Sequence, residues 1–286
     1  MYLNRKKRRG LAGFAFLLPG FAGIAVFYLI PFVDVVRRSF VQASGGKFCG
    51  ADNYKLVLNN TAFQLAAKNT ARFILVCLPL LLLLSLFAAL LVNGLSARLR
   101  TVFKSAFLLP MAIPAASVVL LWKLIFDIHG FANSIMNWMG TSPVDWMNTG
   151  AAFAVLVFSY IWKNLGYTLI LWLAGLASVP QAVYEAAQID GAGKVMQFFK
   201  ITLPLIKPMI FTIVVLSLLN SFKVFREAYL VCGNYPQESI YLLQHLFNNW
   251  FLDLSVDKMA AGSVLLALVI GIFVGILEYS WGKEEI

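Results

Sequence analysis

The chain has 286 residues, of which 60% are hydrophobic and only 13% charged, and its mean hydropathy is +0.80. Soluble domains have about 45–50% apolar and ~25% charged residues, so this composition excludes an ordinary soluble fold and predicts a protein of the lipid bilayer. The net charge of +10 does not favour nucleic-acid binding, because no basic stripe interleaved with aromatic residues lies on a soluble fold. Membrane proteins with basic cytoplasmic loops carry the same sign of charge.

Six segments approach the ~20 apolar residues that a helix needs to cross ~30 Å of hydrocarbon. Since lipid offers no partners to backbone amides, these segments must be helices rather than strands. The predicted fold class is therefore all-α, a polytopic membrane protein with six transmembrane helices. In chain order the predicted spans are Leu11–Val36, Phe73–Leu95, Ser105–Phe126, Ala151–Leu176, Leu205–Leu219 (extended to about Phe225) and Ala260–Trp281.

The distribution of basic residues predicts the orientation. Five of them, at positions 5–9, precede a first span that is too long for a signal peptide and lacks a clear cleavage site. With the N-terminus inside, the inner segments hold twelve Lys and Arg residues and the outer loop Asp127–Gly150 holds none, although the first outer loop holds six. Because the first helix usually dominates topology, we expect both termini in the cytoplasm. The predicted organisation is a basic N-terminus over residues 1–10 and one six-helix domain over residues 11–286.

Two prolines fall in the third predicted span. Pro110 and Pro114 each remove a backbone hydrogen bond, so we expect them to bend this helix. Such bends either shape a cavity or fit the helix into a bundle.

The segment Ser178–Pro208 is the longest inner loop and is predicted to be structured. Pro180 ends the fourth helix, residues 184–188 are mostly good helix formers, and Gly191 lies in a glycine-containing turn. A second short helix follows, which Pro204 and Pro208 are expected to separate from the fifth span. Its apolar side chains predict either contact with a protein partner or an amphipathic helix pair lying on lipid, and physical reasoning alone leaves both open.

The same loop carries a family resemblance. Its sequence contains Glu185-Ala186-Ala187, then Asp190-Gly191-Ala192, then Phe199, Ile201, Leu203 and Pro204. This pattern resembles the EAA loop of the permease subunits of binding-protein-dependent ABC transporters. Further motifs resemble the maltose-permease-like sugar branch of type I importers, namely Gly50-Ala51-Asp52-Asn53-Tyr54, Leu109-Pro110 with Ile113-Pro114, Trp122, Gly130 with Asn133, Trp162, and Leu173-Ala174-Gly175-Leu176 before Val179-Pro180. Gly233-Asn234-Tyr235-Pro236 departs from this branch, which commonly has a second glycine where Asn234 stands.

The resemblance implies a function and a set of partners. The chain would be a permease subunit in the bacterial plasma (inner) membrane, forming half of the path for a sugar or oligosaccharide. It would pair with a second permease subunit as a heterodimer, with two ATPase subunits and with an extracytoplasmic solute-binding protein. The loop would dock on the ATPase, with Glu185 as a charged anchor, Gly191 at the turn, and Phe198 and Phe199 in the apolar contact. The implied ATPase-coupling residues are Glu185, Ala186, Ala187, Asp190, Gly191, Phe198, Phe199 and Pro204.

Two polar stripes mark a candidate substrate path. One lies on the fourth predicted helix and the other on the fifth, at helical spacing. Polar groups inside a membrane either face a wet cavity or join helices through hydrogen bonds. For Lys163 we favour the path, whereas Ser217 and Ser221 fit either interpretation. The predicted path residues are Tyr160, Lys163, Asn164, Tyr167, Ser217, Asn220 and Ser221.

Other function classes are disfavoured. The chain lacks the G-x-x-x-x-G-K-[ST] phosphate loop, so it is not itself an ATPase, and it has no nucleophile–base constellation, so we expect no enzyme activity. An ion-coupled secondary transporter would need acidic groups in the membrane, and the predicted spans hold Asp34 near one end but almost no central carboxylate. Import of another polar solute, such as glycerol phosphate, is the alternative within the family.

Metal and cofactor chemistry are also not expected. The three cysteines, Cys49, Cys77 and Cys232, are far apart in sequence and lack metal-ligand spacing. His129 and His245 are isolated and lie outside the predicted spans. The sequence therefore predicts no disulfide framework, no metal site and no cofactor.

Overall fold

A computed structural model describes residues 16–282 of the chain, so the basic cluster at residues 5–9 and the predicted N-terminal segment lie outside the described residues. Within this range the regular structure is helical, apart from an isolated antiparallel bridge between Val41 and Phe48. The helices are α1 (Phe16–Ser39), α2 (Asp52–Leu58), α3 (Thr61–Asn93), α4 (Ala97–Ala112), α5 (Ala115–Phe126), α6 (Phe131–Trp138), α7 (Ala152–Ala177), α8 (Gln181–Ile189), α9 (Lys194–Gln197), α10 (Lys207–Cys232), α11 (Leu243–Leu252) and α12 (Val256–Gly282).

Six stretches of residues 16–282 are long and apolar enough to cross a membrane, which confirms the predicted fold class. The fourth prediction is the most accurate, because α7 runs from Ala152 to Ala177. The second was too short, since α3 begins at Thr61 rather than at Phe73. The first three turns of α3 are too polar to be recognised as part of an apolar span. Most of their residues nevertheless favour a helix.

The third predicted span, Ser105–Phe126, was wrong as a single bent helix. Helix α4 ends at Ala112, Ile113 is extended with ψ 127°, and α5 begins after Pro114. The pyrrolidine ring disfavours helical geometry in the residue before it, so Pro114 ends one helix and starts the next. Pro110, by contrast, lies within the last turn of α4 without ending it. The membrane-length stretch in this region is Ala115–Trp138.

The fifth span is longer than predicted. Helix α10 runs from Lys207 to Cys232 and tightens into one 3₁₀ turn at Phe222–Val224 before it continues. The consequence is that Glu227 belongs to a membrane-length helix, in its last two turns.

The described chain divides into two compact units. The first comprises residues 16–60 and 249–270. Here Asn53 donates to the carbonyl oxygens of Ser39 and Val41 at 3.0 Å each, and the Tyr54 hydroxyl lies 2.6 Å from Ser39 Oγ. The Asn53-Tyr54 pair of the G-x-x-N-Y motif therefore ties the turn after α1 to α2.

The second unit, residues 61–248 and 271–282, has its core between α3 and α7. Two buried tryptophans hydrogen-bond across helices: Trp122 Nε1 donates to Ser159 Oγ at 2.7 Å, and Trp172 Nε1 donates to Ser85 Oγ at 3.0 Å. Between α7 and α4 the backbones approach closely, because a Cβ on Gly166 would lie 1.9 Å from the carbonyl oxygen of Phe107. Small residues commonly permit such contacts between membrane helices.

Candidate functional site

The loop between α7 and α10 forms the predicted helix–turn–helix. Helix α8 ends in a Schellman motif, in which Ala192 N donates to Ala187 O at 2.9 Å and Gly191 N donates to Gln188 O at 3.0 Å. Gly191 has φ +79°, a left-handed conformation that costs glycine little. The predicted position of the turn is therefore confirmed.

The expected separation of the second loop helix from α10 is confirmed, and the break falls at Ile206, between Pro204 and Pro208. Helix α9 continues through a π-helical turn, Phe198–Thr202, and a further turn, Leu203–Leu205, and only Ile206 interrupts the path to α10. A π-turn leaves room for Pro204, which cannot donate a backbone hydrogen bond. Pro208 lies in the first turn of α10, where its missing N–H would have no intrahelical partner.

One side of this loop is attached to the helix bundle. The Tyr184 hydroxyl lies 2.8 Å from Thr202 Oγ1, and Gln197 Nε2 donates to Ala192 O at 2.7 Å. Tyr184 also packs against the cluster that contains Val179 and the fully buried Ile206. The loop is thereby packed against Ile206, the residue that precedes α10.

The opposite side of the loop is exposed and apolar. The exposed fractions are 87% for Ile189, 73% for Val195, 62% for Phe199 and 54% for Met196. Of the predicted coupling residues, Glu185, Ala186, Asp190, Gly191, Phe199 and Pro204 are exposed, Phe198 is half-buried against Phe199 and Ala187 is buried. An apolar surface of this kind, outside the membrane-length stretches, is typical of a contact with another protein.

A polar cavity of about 150 Å³ lies between α7 and α10. Tyr160, Lys163 and Asn164 reach it from α7, and Asn220 reaches it from α10, so four of the seven predicted path residues are brought together. Tyr160 is 3% exposed, and its hydroxyl donates to the carbonyl oxygen of Ser217 at 2.9 Å. This bond joins the two helices at one edge of the cavity.

The other three predicted residues are not among those lining the cavity. Ser217 and Ser221 are buried, and Ser221 Oγ donates to Leu218 O within its own helix at 2.6 Å. Tyr167 is half-buried, one turn beyond the cavity residues on α7. The Ser217 hydroxyl is buried without a hydrogen-bond partner among the described residues, so neither serine side chain is seen to join helices or to line the cavity.

Six residues of the cavity lining escaped the sequence prediction, namely Met111, Ser159, Lys223, Val224, Arg226 and Glu227. Glu227 forms an ion pair with Lys163, whose side chain is 19% exposed against 11% for the carboxylate. Lys223 donates to Asn220 Oδ1 at 2.7 Å, and Arg226 and Met111 complete this part of the lining. Lys223 lies within the extension of the fifth span to about Phe225, and Arg226 and Glu227 lie just beyond it. Continuing the helical period of the polar stripe by two turns would have found all three.

Another buried ionisable group, His245 on α11, lies outside the membrane-length stretches. Its Nδ1 accepts from the backbone N–H of Leu242 at 3.2 Å, and its ring packs edge-on against Phe225 with centroids 4.8 Å apart. Burial lowers the pKa of His245 to about 4, because the charged imidazolium would lose its hydration there. Among residues 16–282 no three His, Cys, Asp or Glu side chains converge as metal ligands would.

These features define an integral membrane protein with a polar cavity between two spans and an exposed contact loop. Residues 81–281 match the family of binding-protein-dependent transport system inner membrane components, and the chain belongs to that family. The family resemblance seen in the sequence is therefore confirmed.

Curated relatives agree along most of the chain. It is 33% identical to an arabinooligosaccharides transport system permease protein of Bacillus subtilis (strain 168), over 91% of this chain and 85% of that protein. It is 31% identical to a trehalose/maltose transport system permease protein of Thermococcus litoralis, over 96% of this chain and 93% of that protein. It is 29% identical to the sn-glycerol-3-phosphate transport system permease protein of Salmonella typhimurium, over 93% and 88% respectively.

Solved structures share the fold. A chain of a bacterial ABC transporter involved in the import of the acidic polysaccharide alginate superposes with a TM-score of 0.84 at 22% identity, covering 100% of both chains. A bacterial alginate ABC transporter in complex with its alginate pentasaccharide-bound periplasmic protein gives a TM-score of 0.79 at 22% identity, over 96% and 95% of the chains. At this identity the likeness concerns the fold of the helices.

Proposed function

We propose that this chain forms half of the translocation path of an ABC importer for an oligosaccharide or sugar derivative. The observation that carries the proposal is the polar cavity between α7 and α10, since polar groups in a membrane bundle are costly unless they meet water or solute. The permease relatives named for arabinooligosaccharides and for trehalose/maltose support a sugar as the solute. Import of a phosphorylated solute is the second candidate, supported by the glycerol-phosphate relative and by cationic cavity residues.

The partners follow from the same proposal. A solute-binding protein would deliver the solute at the outer face, a second and similar permease subunit would complete the path, and two ATPase subunits would hydrolyse ATP. This chain itself would have no catalytic role. Both termini and the loop Ser178–Pro208 would face the cytoplasm of a bacterial cell. Reporter fusions at each terminus and in the loop Asp127–Gly150 test this orientation.

The exposed face of α8 and α9 is the proposed ATPase contact. Glu185 projects from α8 as an exposed carboxylate beside exposed apolar groups such as Ile189 and Phe199. A carboxylate at the rim of such a contact can accept charge-assisted hydrogen bonds from arginine. Because Tyr184 packs in the cluster that contains Ile206, the residue that precedes α10, a displacement of the loop by the ATPase would be passed on to a helix that lines the cavity.

The test is co-purification from membranes in mild detergent. We expect the wild-type chain to retain an ATPase and a second permease, and Glu185→Arg to release the ATPase selectively. Glu238→Arg is the matched control, since Glu238 is also an exposed glutamate but lies outside the loop. Absence of any ATPase from wild-type preparations in several detergents would refute the importer assignment. Equal retention by Glu185→Arg would refute only the role of Glu185.

A further inference from the structure

The positive and negative charges around the cavity are unequal in number. Lys163, Lys223, Arg226 and Glu227 all line it, which sets three cations against one carboxylate. Lys163 and Glu227 form an ion pair and neutralise each other. The ion pairs found among residues 16–282 include neither Lys223 nor Arg226. The lining therefore carries two positive charges without a carboxylate partner.

These two cations are placed to act together. Lys223 and Arg226 are three positions apart at the 3₁₀ turn of α10, so their side chains leave the same face of the helix. Lys223 donates to the neutral amide of Asn220, which fixes its direction without removing its charge. Cations within a membrane-length helix are costly unless they face water, a counter-charge or a solute.

We propose that the solute passing this cavity carries an oxyanion group, a carboxylate or a phosphate, which Arg226 and Lys223 receive. This inference rests on the proposed function and adds the charge of the solute to it. A guanidinium presents a planar pair of donors that suits either oxyanion. Asn164 lies along the same cavity, where its amide suits the hydroxyl of a sugar. Lys223 and Arg226 are exposed, and a neutral oligosaccharide would leave both of their charges without a counter-charge within the path.

The electrostatic part of the proposal can be measured before the solute is identified. Met111 lines the cavity and is 44% exposed, so Met111→Cys places a thiol there in a chain whose native cysteines are replaced by alanine. The assay compares how fast negatively and positively charged methanethiosulfonate reagents modify this thiol in the full complex in nanodiscs. Two unpaired cations at close range predict a rate ratio of roughly ten in favour of the negative reagent.

Matched variants separate the cavity from the general charge of the protein. We expect Arg226→Gln and Lys223→Gln each to lower the rate ratio about threefold, and Lys68→Gln, an exposed lysine of α3 away from the cavity, to leave it unchanged. A ratio near one in the parent chain would overturn the proposal, because it would mean that acidic groups of the second permease neutralise the cavity. Equal ratios in all variants would overturn it as well.

Protection from modification then identifies the oxyanion. With the binding protein present, slower modification in trigalacturonate indicates a carboxylate, and slower modification in sn-glycerol 3-phosphate indicates a phosphate. Protection by maltotriose alone would overturn the anionic assignment while leaving the sugar importer intact. Failure of the proposed function itself is seen separately, as the absence of an ATPase from the purified wild-type complex.

Discussion

The ion pair between Lys163 and Glu227 gives the sharpest test of how α7 and α10 are held together. Both side chains are mostly buried, with 19% and 11% exposed. Removing one partner of a buried pair costs about 3–5 kcal/mol because an uncompensated charge remains, and the residual exposure reduces this to roughly 2–3 kcal/mol for either single variant, Lys163→Met or Glu227→Leu. The double variant Lys163→Met/Glu227→Leu leaves no charge unpaired. We therefore expect its loss in free energy of unfolding to be smaller than the sum of the losses of the two single variants by at least ~1 kcal/mol.

The measurement is a double-mutant cycle on the purified chain. Reversible unfolding by dodecyl sulfate in mixed micelles, followed by circular dichroism, gives the free energy of unfolding of each variant. Lys223→Met is the matched control, since this exposed lysine bonds a neutral amide, and we expect it to lose less than ~0.5 kcal/mol. If the losses of the two single variants simply add in the double variant, Lys163 and Glu227 are not energetically coupled. The ion pair would then not hold α7 and α10 together.

Three further predictions concern packing, pH and the turn. Gly166→Ala should lower the free energy of unfolding by about 1–3 kcal/mol, because the added Cβ would overlap the backbone of Phe107. Gly271→Ala, where a Cβ would meet nothing within 4 Å, should raise it by up to ~1 kcal/mol. If the thermal midpoints of the two variants move in the same direction, this prediction is wrong. Since the folded pKa of His245 is about 4 against an ordinary 6.5, the unfolded chain binds more protons between these values. The stability that neutral His245 contributes is therefore complete above pH ~6.5 and falls by up to ~1.4 kcal/mol per pH unit towards pH 4. Measurement of the free energy of unfolding against pH should give a smaller slope in this range for His245→Gln than for the wild type. Gly191→Ala should lower the stability of the turn by ~1–2 kcal/mol, because an alanine side chain is strained at φ +79°. Limited proteolysis of the loop should then be faster than in the wild type, and an unchanged cleavage rate would count against a strained turn.

The loop shows how far local sequence rules reach. A proline before α8, helix formers within it and a glycine after it predicted a helix and a turn, because these preferences act over a few residues. The same rules placed the break before α10, which falls at Ile206 between Pro204 and Pro208. They gave no sign of the π-helical turn Phe198–Thr202, which continues α9 beyond its last regular residue.

The candidate path shows a different limit. Helical spacing correctly grouped Tyr160, Lys163 and Asn164, since neighbours on one helix face are set by the helix period alone. It could not tell which polar residues of α10 face the cavity and which, like Ser221, bond to their own helix. That choice depends on how α10 is rotated against α7, which is a property of the packed bundle.

The sequence by itself determined that the chain crosses a membrane six times as helices and belongs to a transport family. The first conclusion comes from local causes, because each apolar segment partitions into lipid largely on its own account and each backbone must satisfy its hydrogen bonds within its own helix. The second comes from the short motifs of the loop Ser178–Pro208 and of the spans. Only the tertiary structure decided that Lys163 meets Glu227, sixty-four positions away, and that Lys223 and Arg226 remain without a carboxylate partner within the described chain. Such pairings arise from the register and rotation of packed helices, which no short stretch of sequence encodes.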